Sequence, residues 1–254
     1  MWRRLDITEN EGNAIEEAVA WHTVGIVAAA GESIGTGSAI LWRQRSLILT
    51  ARHVLETSPN GGIWFHFRHE GTMKRSPIEE LWSRPDMLYT RKVAIEIRGR
   101  YCSKDADLAA LEVPRGIGEQ YQVKFFELAE DLATPPPGTI VTMRGSSSDL
   151  AKAVAPGVLA SFEVVQWARI QEKPLFEPFD PVSEFLLKFV AADKGIGARG
   201  FSGAGAWFFK ATEGVWHPNL GLAGVCTAYY PRRKLLSVLR IEQVTRFLDG
   251  ALPA

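Results

Sequence analysis

The chain has few of the features that mark secreted, metal-binding or membrane proteins. Only two of its 254 residues are cysteines, Cys102 and Cys226, whereas secreted proteins of this size often carry several disulfides. We therefore expect a reducing compartment, with both thiols free and packed in apolar segments. The cysteines match no zinc-ligand spacing, so we expect no metal and no cofactor.

Charge of either sign is not in excess, because Lys+Arg and Asp+Glu both number 29. This balance gives no electrostatic case for nucleic acid or an anionic membrane as a partner. The apolar stretch at 24–31 is too short to span a bilayer. The basic start is followed by acidic residues rather than an apolar segment, so we expect no signal peptide and a cytoplasmic protein.

Apolar residues make up 46% of the chain, which is enough for a hydrophobic core that needs no disulfide or metal cross-links. Short β-like runs are separated by Gly or charged turns, and helix formers gather only near the ends. One helix is predicted at 14–21, capped by Asn13, and another at 240–249 from apolar residues at helical spacing. These patterns predict an all-β fold and leave paired barrels or a sandwich open.

A Pro-rich segment near the middle of the chain predicts an extended connector. Thr134 is followed by three prolines and a glycine, and proline fixes φ and removes amide donors. We expect a single domain over 1–254, with sub-barrels at about 21–130 and 138–235 and a linker at 131–137.

Two segments of the first half could supply a base and its partner. His53 follows the hydrophobic run Ser46-Leu-Ile-Leu-Thr, where a strand end could fix an imidazole for proton transfer. Asp107 opens the apolar run Asp107-Leu-Ala-Ala-Leu. It is preferred to Asp105 because it abuts that run, and we expect its carboxylate to be largely buried.

One serine in the second half is crowded by glycines, in Gly200-Phe-Ser202-Gly-Ala. A nucleophilic serine needs a tight turn that exposes its oxygen and aims backbone amides at an oxyanion, and glycine permits such turns. The elbow of the α/β-hydrolases does not fit, because Ala204 stands where that motif has glycine. A flexible Gly/Ser loop is the alternative for this segment alone, but the order His, Asp, Ser across the linker favours a triad.

Together these segments resemble the trypsin-like, chymotrypsin-fold serine peptidases, and the bacterial HtrA and glutamyl-endopeptidase branch more than the digestive enzymes. The resemblance spans most of 21–230. It rests on Gly35-Thr-Gly-Ser-Ala-Ile-Leu, Thr50-Ala-Arg-His53, Asp107-Leu-Ala-Ala-Leu, Gly200-Phe-Ser202-Gly-Ala and Gly224-Val-Cys-Thr-Ala-Tyr. It implies an all-β fold of two antiparallel six-stranded barrels with a short N-terminal and a C-terminal helix. It also implies a serine endopeptidase that acts on proteins or peptides through an acyl-enzyme.

The resemblance also implies roles for individual residues. His53, Asp107 and Ser202 would be catalytic, and the backbone N–H groups of Gly200 and Ser202 would form the oxyanion hole. Thr227 would support the aspartate by a hydroxyl contact. Residues that would meet the substrate are Ile196 at the floor of the specificity pocket, and Ala228 and Tyr229 on a strand that pairs with it.

One departure from the digestive enzymes leaves a second function open. They have an aspartate before the nucleophile that pairs with a new N-terminus after zymogen cleavage, and this chain has Phe201 there. Activation by N-terminal processing is therefore not expected. The alternative is a protease-fold binding or scaffold protein, or a latent protease that a regulatory protein partner activates. Esterase action is a further alternative.

Overall fold

The computed structural model describes residues 7–28, 33–57, 63–68, 88–93, 95–121, 123–129, 132–146, 152–155, 158–161, 163–171, 179–212 and 215–252. These residues form sixteen strands, four α-helices and one 3₁₀-helix at Val190–Lys194. The helices are α1 Glu9–Ala20, α2 Arg52–Glu56, α3 Ile117–Tyr121 and α4 Ile241–Ala251. The strands are β1 Thr23–Ala28, β2 Ser33–Trp42, β3 Arg45–Thr50, β4 Ile63–Arg68, β5 Leu88–Val93, β6 Gly99–Cys102, β7 Ala109–Val113, β8 Phe126–Glu127, β9 Ile140–Ser146, β10 Lys152–Ala155, β11 Val158–Ser161, β12 Glu163–Arg169, β13 Glu184–Lys188, β14 Gly205–Thr212, β15 Val215–Tyr230 and β16 Leu235–Arg240.

The first sheet contains ten strands in the order β10-β11-β5-β4-β1-β2-β3-β7-β6, with β8 added in parallel to β2. Its central strands β3 and β7 pair antiparallel, from Ser46 opposite Val113 to Thr50 opposite Ala109. Both strands are almost wholly buried, so they form a rigid base for the residues at their ends. The hairpin β10–β11 comes from the second half of the chain but pairs with β5 of this sheet.

The second sheet contains six strands in the order β12-β9-β14-β15-β16-β13. Its two outer strands meet, because Ile170 bridges to Leu187 and the N–H of Gln171 donates to the carbonyl of Leu186 at 3.0 Å. The sheet is therefore closed into a barrel, in which its two outer strands meet each other. The expected all-β, chymotrypsin-like fold is confirmed, with a six-stranded second sheet and a first sheet enlarged to ten strands.

The two terminal helices pack where the sheets meet. One cluster joins Ile15 and Val19 of α1 and Val244 and Leu248 of α4 to buried residues of both sheets, among them Leu47 of β3. Residues 132–136 lie outside any helix or strand, and Pro137 and Gly138 form a turn in which the N–H of Thr139 donates to the carbonyl of Pro136 at 3.2 Å. Residue 131 of the expected linker lies outside the described residues. Burial of apolar helix faces between the sheets fixes the two halves of the chain against each other.

The N-terminal helix begins earlier than the sequence pattern predicted. It starts at Glu9, and Thr8 rather than Asn13 is the N-cap, with a reciprocal bond between Thr8 and Glu11. The prediction of Asn13 as cap was wrong because this capping box satisfies two free backbone donors more than one turn upstream. The C-terminal helix follows the expected range closely. No helix among the described residues has the length and apolar character to cross a membrane.

Candidate active site

The end of β3 positions His53. The strand stops at Thr50, and α2 starts two residues later, held by the buried side chains of Val54 and Leu55. The carbonyl of His53 accepts from the N–H of Thr57 at 3.1 Å and from its hydroxyl at 2.8 Å. The backbone at His53 is thus fixed while 46% of its side chain stays exposed, which leaves the ring accessible to a substrate.

The carboxylate of Asp107 binds His53 twice. Oδ1 accepts from the backbone N–H of His53 at 2.9 Å, and Oδ2 lies 2.5 Å from ring Nδ1. With Nδ1 as the donor, neutral His53 has Nε2 free as an acceptor. Asp107, rather than Asp105, therefore orients the ring, but its side chain is 33% exposed, so the expectation of a largely buried carboxylate was wrong.

Ser202 completes the group from the second half of the chain. Its Oγ lies 2.9 Å from Nε2 of His53, which is within hydrogen-bonding distance for a hydroxyl that donates to an imidazole. The three residues predicted to act together, His53, Asp107 and Ser202, thus form one continuous chain of hydrogen bonds. Such a chain can move a proton from the serine hydroxyl to the imidazole.

Electrostatics within this group favour a basic imidazole. The hydrogen bond to Asp107 raises the pKa of His53 above its ordinary value, and burial of the ring opposes part of that rise. Burial also raises the pKa of Asp107, but hydrogen bonds from the side chain and backbone of His53 outweigh it and leave that pKa below its ordinary value. Asp107 is therefore ionised when it faces the imidazole.

The serine lies directly after a tight turn. The N–H of Phe201 donates to the carbonyl of Ala198 at 3.0 Å, and Gly200 has φ +96°. A positive φ at the third residue of such a turn is typical of type II and requires glycine or a close substitute. Among the described residues, none accepts a hydrogen bond from the N–H of Gly200 or of Ser202, so both donors are available to a ligand.

A threonine of β2 holds this loop in place. The hydroxyl of Thr36 donates to the carbonyl of Gly200 at 2.6 Å, and its N–H donates to the carbonyl of Ser202 at 2.8 Å. The hydroxyl of Thr50 in turn donates to the carbonyl of Thr36 at 2.8 Å. Thr36 and Thr50 lie within the sequence motifs but have no role that those motifs predict, because only the folded arrangement brings them to the loop of Ser202.

The side chain of Phe201 anchors the loop in the core. It is 1% exposed, and its ring meets that of Phe189 edge-on at 5.1 Å between centroids. A Cβ at Gly145 would lie 2.9 Å from the Phe201 ring, so glycine is required where β9 passes under it. Hydrophobic packing therefore occupies the position at which the digestive enzymes use a buried ion pair.

The residues expected to meet a substrate lie near this loop. Ile196 is partly buried and packs on the same core cluster as Phe201. Pairing of β14 with β15 stops at Val225, whereas pairing of β16 continues to Tyr230. Ala228 and Tyr229 therefore have one strand edge that no described strand occupies, and a peptide could pair there.

Thr227 does not make the hydrogen bond expected of it. It is 6% exposed, and its Oγ1 has no hydrogen-bond partner among the described residues. It lines the same cavity as Asp107 without bonding to the carboxylate. The hydroxyl support inferred from the resemblance is thus absent, and all bonds that Asp107 accepts from described residues come from His53.

A model of the trypsin-like peptidase domain matches residues 37–180 of the chain. The chain belongs to the trypsin-like peptidase family. The matched range contains His53 and Asp107, and Ser202 lies beyond it. Membership makes the protein a trypsin-like serine protease. No curated protein matches this peptidase in sequence.

Solved structures with the same fold extend over nearly all of the peptidase. An atomic-resolution structure of HBP is 15% identical, covers 92% of both chains and superposes with a TM-score of 0.58. A structure of human heparin-binding protein is 14% identical, covers 91% of both chains and has a TM-score of 0.57. At this identity the similarity shows the chymotrypsin-like fold alone.

Neither cysteine of the peptidase forms a disulfide. Cys226 is buried, which raises the pKa of its thiol to about 12. Cys102 is free as expected but exposed rather than packed, because it ends the short edge strand β6. Among the described residues, no group of three or more His, Cys, Asp and Glu side chains is arranged to hold a metal ion.

Proposed function

We propose that this peptidase is an endopeptidase that forms an acyl-enzyme on Ser202. The observation that carries the proposal is the pair of hydrogen bonds through His53, 2.9 Å to Ser202 Oγ and 2.5 Å to Asp107 Oδ2. This order gives each residue one role. Ser202 is the nucleophile, His53 is the general base and then the general acid, and Asp107 orients the imidazole and stabilises its protonated form.

The reaction would proceed in two halves. Ser202 Oγ attacks the peptide carbonyl while Nε2 of His53 takes the hydroxyl proton. The tetrahedral intermediate collapses when His53 gives that proton to the leaving amine, so the C–N bond breaks and an ester on Ser202 remains. Water then enters, gives its proton to His53, and releases the carboxylic acid in the reverse sequence.

The negative oxygen of each tetrahedral intermediate needs hydrogen-bond donors. The N–H groups of Gly200 and Ser202 are suited to this role because no described residue accepts from them. Loss of one such donor typically slows acyl transfer by about 10²–10³. Anchoring by Thr36 and Phe201 supports a loop that is ready before substrate arrives, and therefore an active rather than a latent enzyme.

Substrate would add as a strand along Ala228 and Tyr229. Their open edge begins next to the nucleophile loop, because Cys226 exchanges backbone hydrogen bonds with Gly203 and Ala204. Ile196 would offer an apolar floor to the side chain that precedes the cleaved bond. We therefore propose small or apolar residues at that position.

A fluorophosphonate probe tests the nucleophile, since it phosphonylates activated serines. We expect one adduct per chain, mapped to the peptide that contains Ser202, and none on Ser202→Ala. An adduct that persists unchanged in Ser202→Ala would contradict the assignment. Digestion of a peptide library by both proteins then separates peptidase from esterase action. Cleavage after small or apolar residues is expected from the wild type only.

A further inference from the structure

A cavity of about 600 Å³ lies between the turn at 102–107 and helix α4, and Asp107 forms part of its wall. Of the three residues His53, Asp107 and Ser202, Asp107 alone lines it. Its volume falls within the range of small-molecule sites. A ligand in this cavity could therefore contact the triad through Asp107.

The less exposed polar groups of the wall are mainly hydrogen-bond acceptors. The Asp107 carboxylate is one-third exposed and receives bonds only from His53 among the described residues. Glu184 is half-buried, and that burial raises its pKa. Thr227 adds a buried hydroxyl that has no hydrogen-bond partner in the described part of the chain. These three groups favour an occupant that donates hydrogen bonds and carries positive charge.

The cations of the wall are more exposed than the carboxylates of Asp107 and Glu184. Lys104 and Arg246 are both exposed, so their flexible side chains can turn toward water without leaving the protein surface. Arg246 also donates to the side chain of Gln243 at 3.0 Å. Phe247 and the buried Leu239 supply the apolar part of the wall. The cavity thus combines acceptors, an apolar surface and cations that can move away.

We propose that this cavity binds a small organic cation, an amine or guanidinium on a short apolar body, and that its occupancy alters the activity of the triad through Asp107. A positive charge beside Asp107 weakens the support that this carboxylate gives to protonated His53. The imidazole then loses its proton at lower pH. The other charged groups that face the aspartate or the imidazole are Arg52, Glu56, Lys104, Asp105, Glu184 and Arg246.

Cys102 provides a reporter inside the proposed site. It lines the cavity and is free and exposed, whereas the only other thiol, Cys226, is buried with a pKa of about 12. Three symmetrical disulfides can exchange with Cys102 to leave a 2-aminoethylthio, a 2-hydroxyethylthio or a 2-carboxyethylthio group on its sulfur as a mixed disulfide, called here the aminoethyl, hydroxyethyl and carboxyethyl groups. Each exchange releases the other half as a thiol, and intact mass gives the fraction captured at a fixed level of reductant.

The fraction of Cys102 that carries each group in the folded protein is divided by the fraction measured for a peptide of residues 98–106. This ratio corrects for the intrinsic reactivity of each disulfide and for the charges close to Cys102 in sequence. We expect the folded protein to prefer the aminoethyl over the carboxyethyl group by roughly tenfold after this correction, the effect of one favourable contact with a carboxylate. Equal corrected capture of the three groups would overturn the proposed charge preference.

Gly250 is a position in the cavity wall at which a larger side chain can be introduced. It lines the cavity, and a Cβ there would meet no atom within 4 Å. Gly250→Trp should fill the space and abolish the aminoethyl preference, whereas Gly250→Ala should retain it and serves as the matched control. An undiminished preference in Gly250→Trp would place the binding outside the cavity and contradict the proposal.

The coupling to activity rests on the proposed function, but the binding does not. The aminoethyl adduct should move the acid limb of kcat/KM to lower pH relative to the hydroxyethyl adduct. An unchanged limb together with selective capture would refute the coupling. Absence of turnover by the unlabelled protein would instead contradict the proposed function, and the capture ratios would still decide the binding.

Discussion

Replacement of Phe201 by Leu tests whether apolar packing, rather than an ion pair, holds the nucleophile loop. Phe201 is 1% exposed and meets Phe189 edge-on at 5.1 Å. Leucine keeps the apolar character but loses the ring contact and leaves a small void. From the typical cost of aromatic contacts and small cavities, we expect unfolding to become easier by about 1–2 kcal/mol. That loss leaves a domain of ordinary stability folded.

The expected effect on catalysis is larger than the effect on stability. The backbone of Phe201 joins the two proposed oxyanion donors, so a shift of its side chain misplaces them. We expect kcat to fall by about 10–10³, up to the value of one lost donor. Phe185→Leu is the control, because Phe185 is 2% exposed in the same core cluster but lies on β13. Urea unfolding and kcat on a peptide substrate are measured for both variants.

The two variants separate anchoring from general destabilisation. Similar losses of stability are expected in both, with a marked loss of kcat in Phe201→Leu alone. If Phe201→Leu kept the wild-type kcat, or if Phe185→Leu lost as much, the anchoring role would be refuted. A fluorophosphonate labelling rate would distinguish a misaligned site from a failure to bind peptide.

Three further predictions concern residues around the serine. Asp107→Asn should lower kcat by about 10⁴. The acid limb of kcat/KM should also move to lower pH, because Asp107 raises the pKa of His53 and catalysis needs the neutral ring. An acid limb that does not move would refute this coupling. Thr36→Val removes the 2.6 Å bond to the Gly200 carbonyl and should cost about 1–3 kcal/mol of stability by urea unfolding, with a loss of kcat; wild-type kcat would argue against its positioning role. Gly203→Ala should prevent native folding, because Gly203 has φ +91° and a Cβ would lie 1.9 Å from the Thr36 carbonyl; a wild-type circular dichroism spectrum and melting temperature would contradict that steric argument.

The residues of the candidate site could be found from sequence because each lies beside a recognisable local pattern. His53 follows an apolar strand, Asp107 opens one, and Ser202 lies among glycines. Their order along the chain added the information that no single motif carried. The fold class followed from the same short apolar runs, since strand alternation and turn residues are local properties.

Features that depend on distant contacts could not be predicted in this way. The pairing of β5 with β11 enlarges the first sheet, and no periodicity records which strand edges meet. Thr36 serves the nucleophile loop across 164 residues of sequence, and the unpartnered hydroxyl of Thr227 depends on side-chain packing. The cap of α1 was missed for a local reason, because the Thr8–Glu11 pair competes with Asn13 and satisfies more donors.

The central claim, a ready acyl-transfer site on Ser202, is tested most directly by active-site titration with a p-nitrophenyl ester. Rapid mixing should release a burst of about one nitrophenol per chain before slow turnover, because the activated ester acylates the serine faster than water removes the acyl group. Intact mass during the burst should show the acyl group on the wild type and not on Ser202→Ala. A folded wild-type protein with no burst, or a burst that survives in Ser202→Ala, would contradict the account.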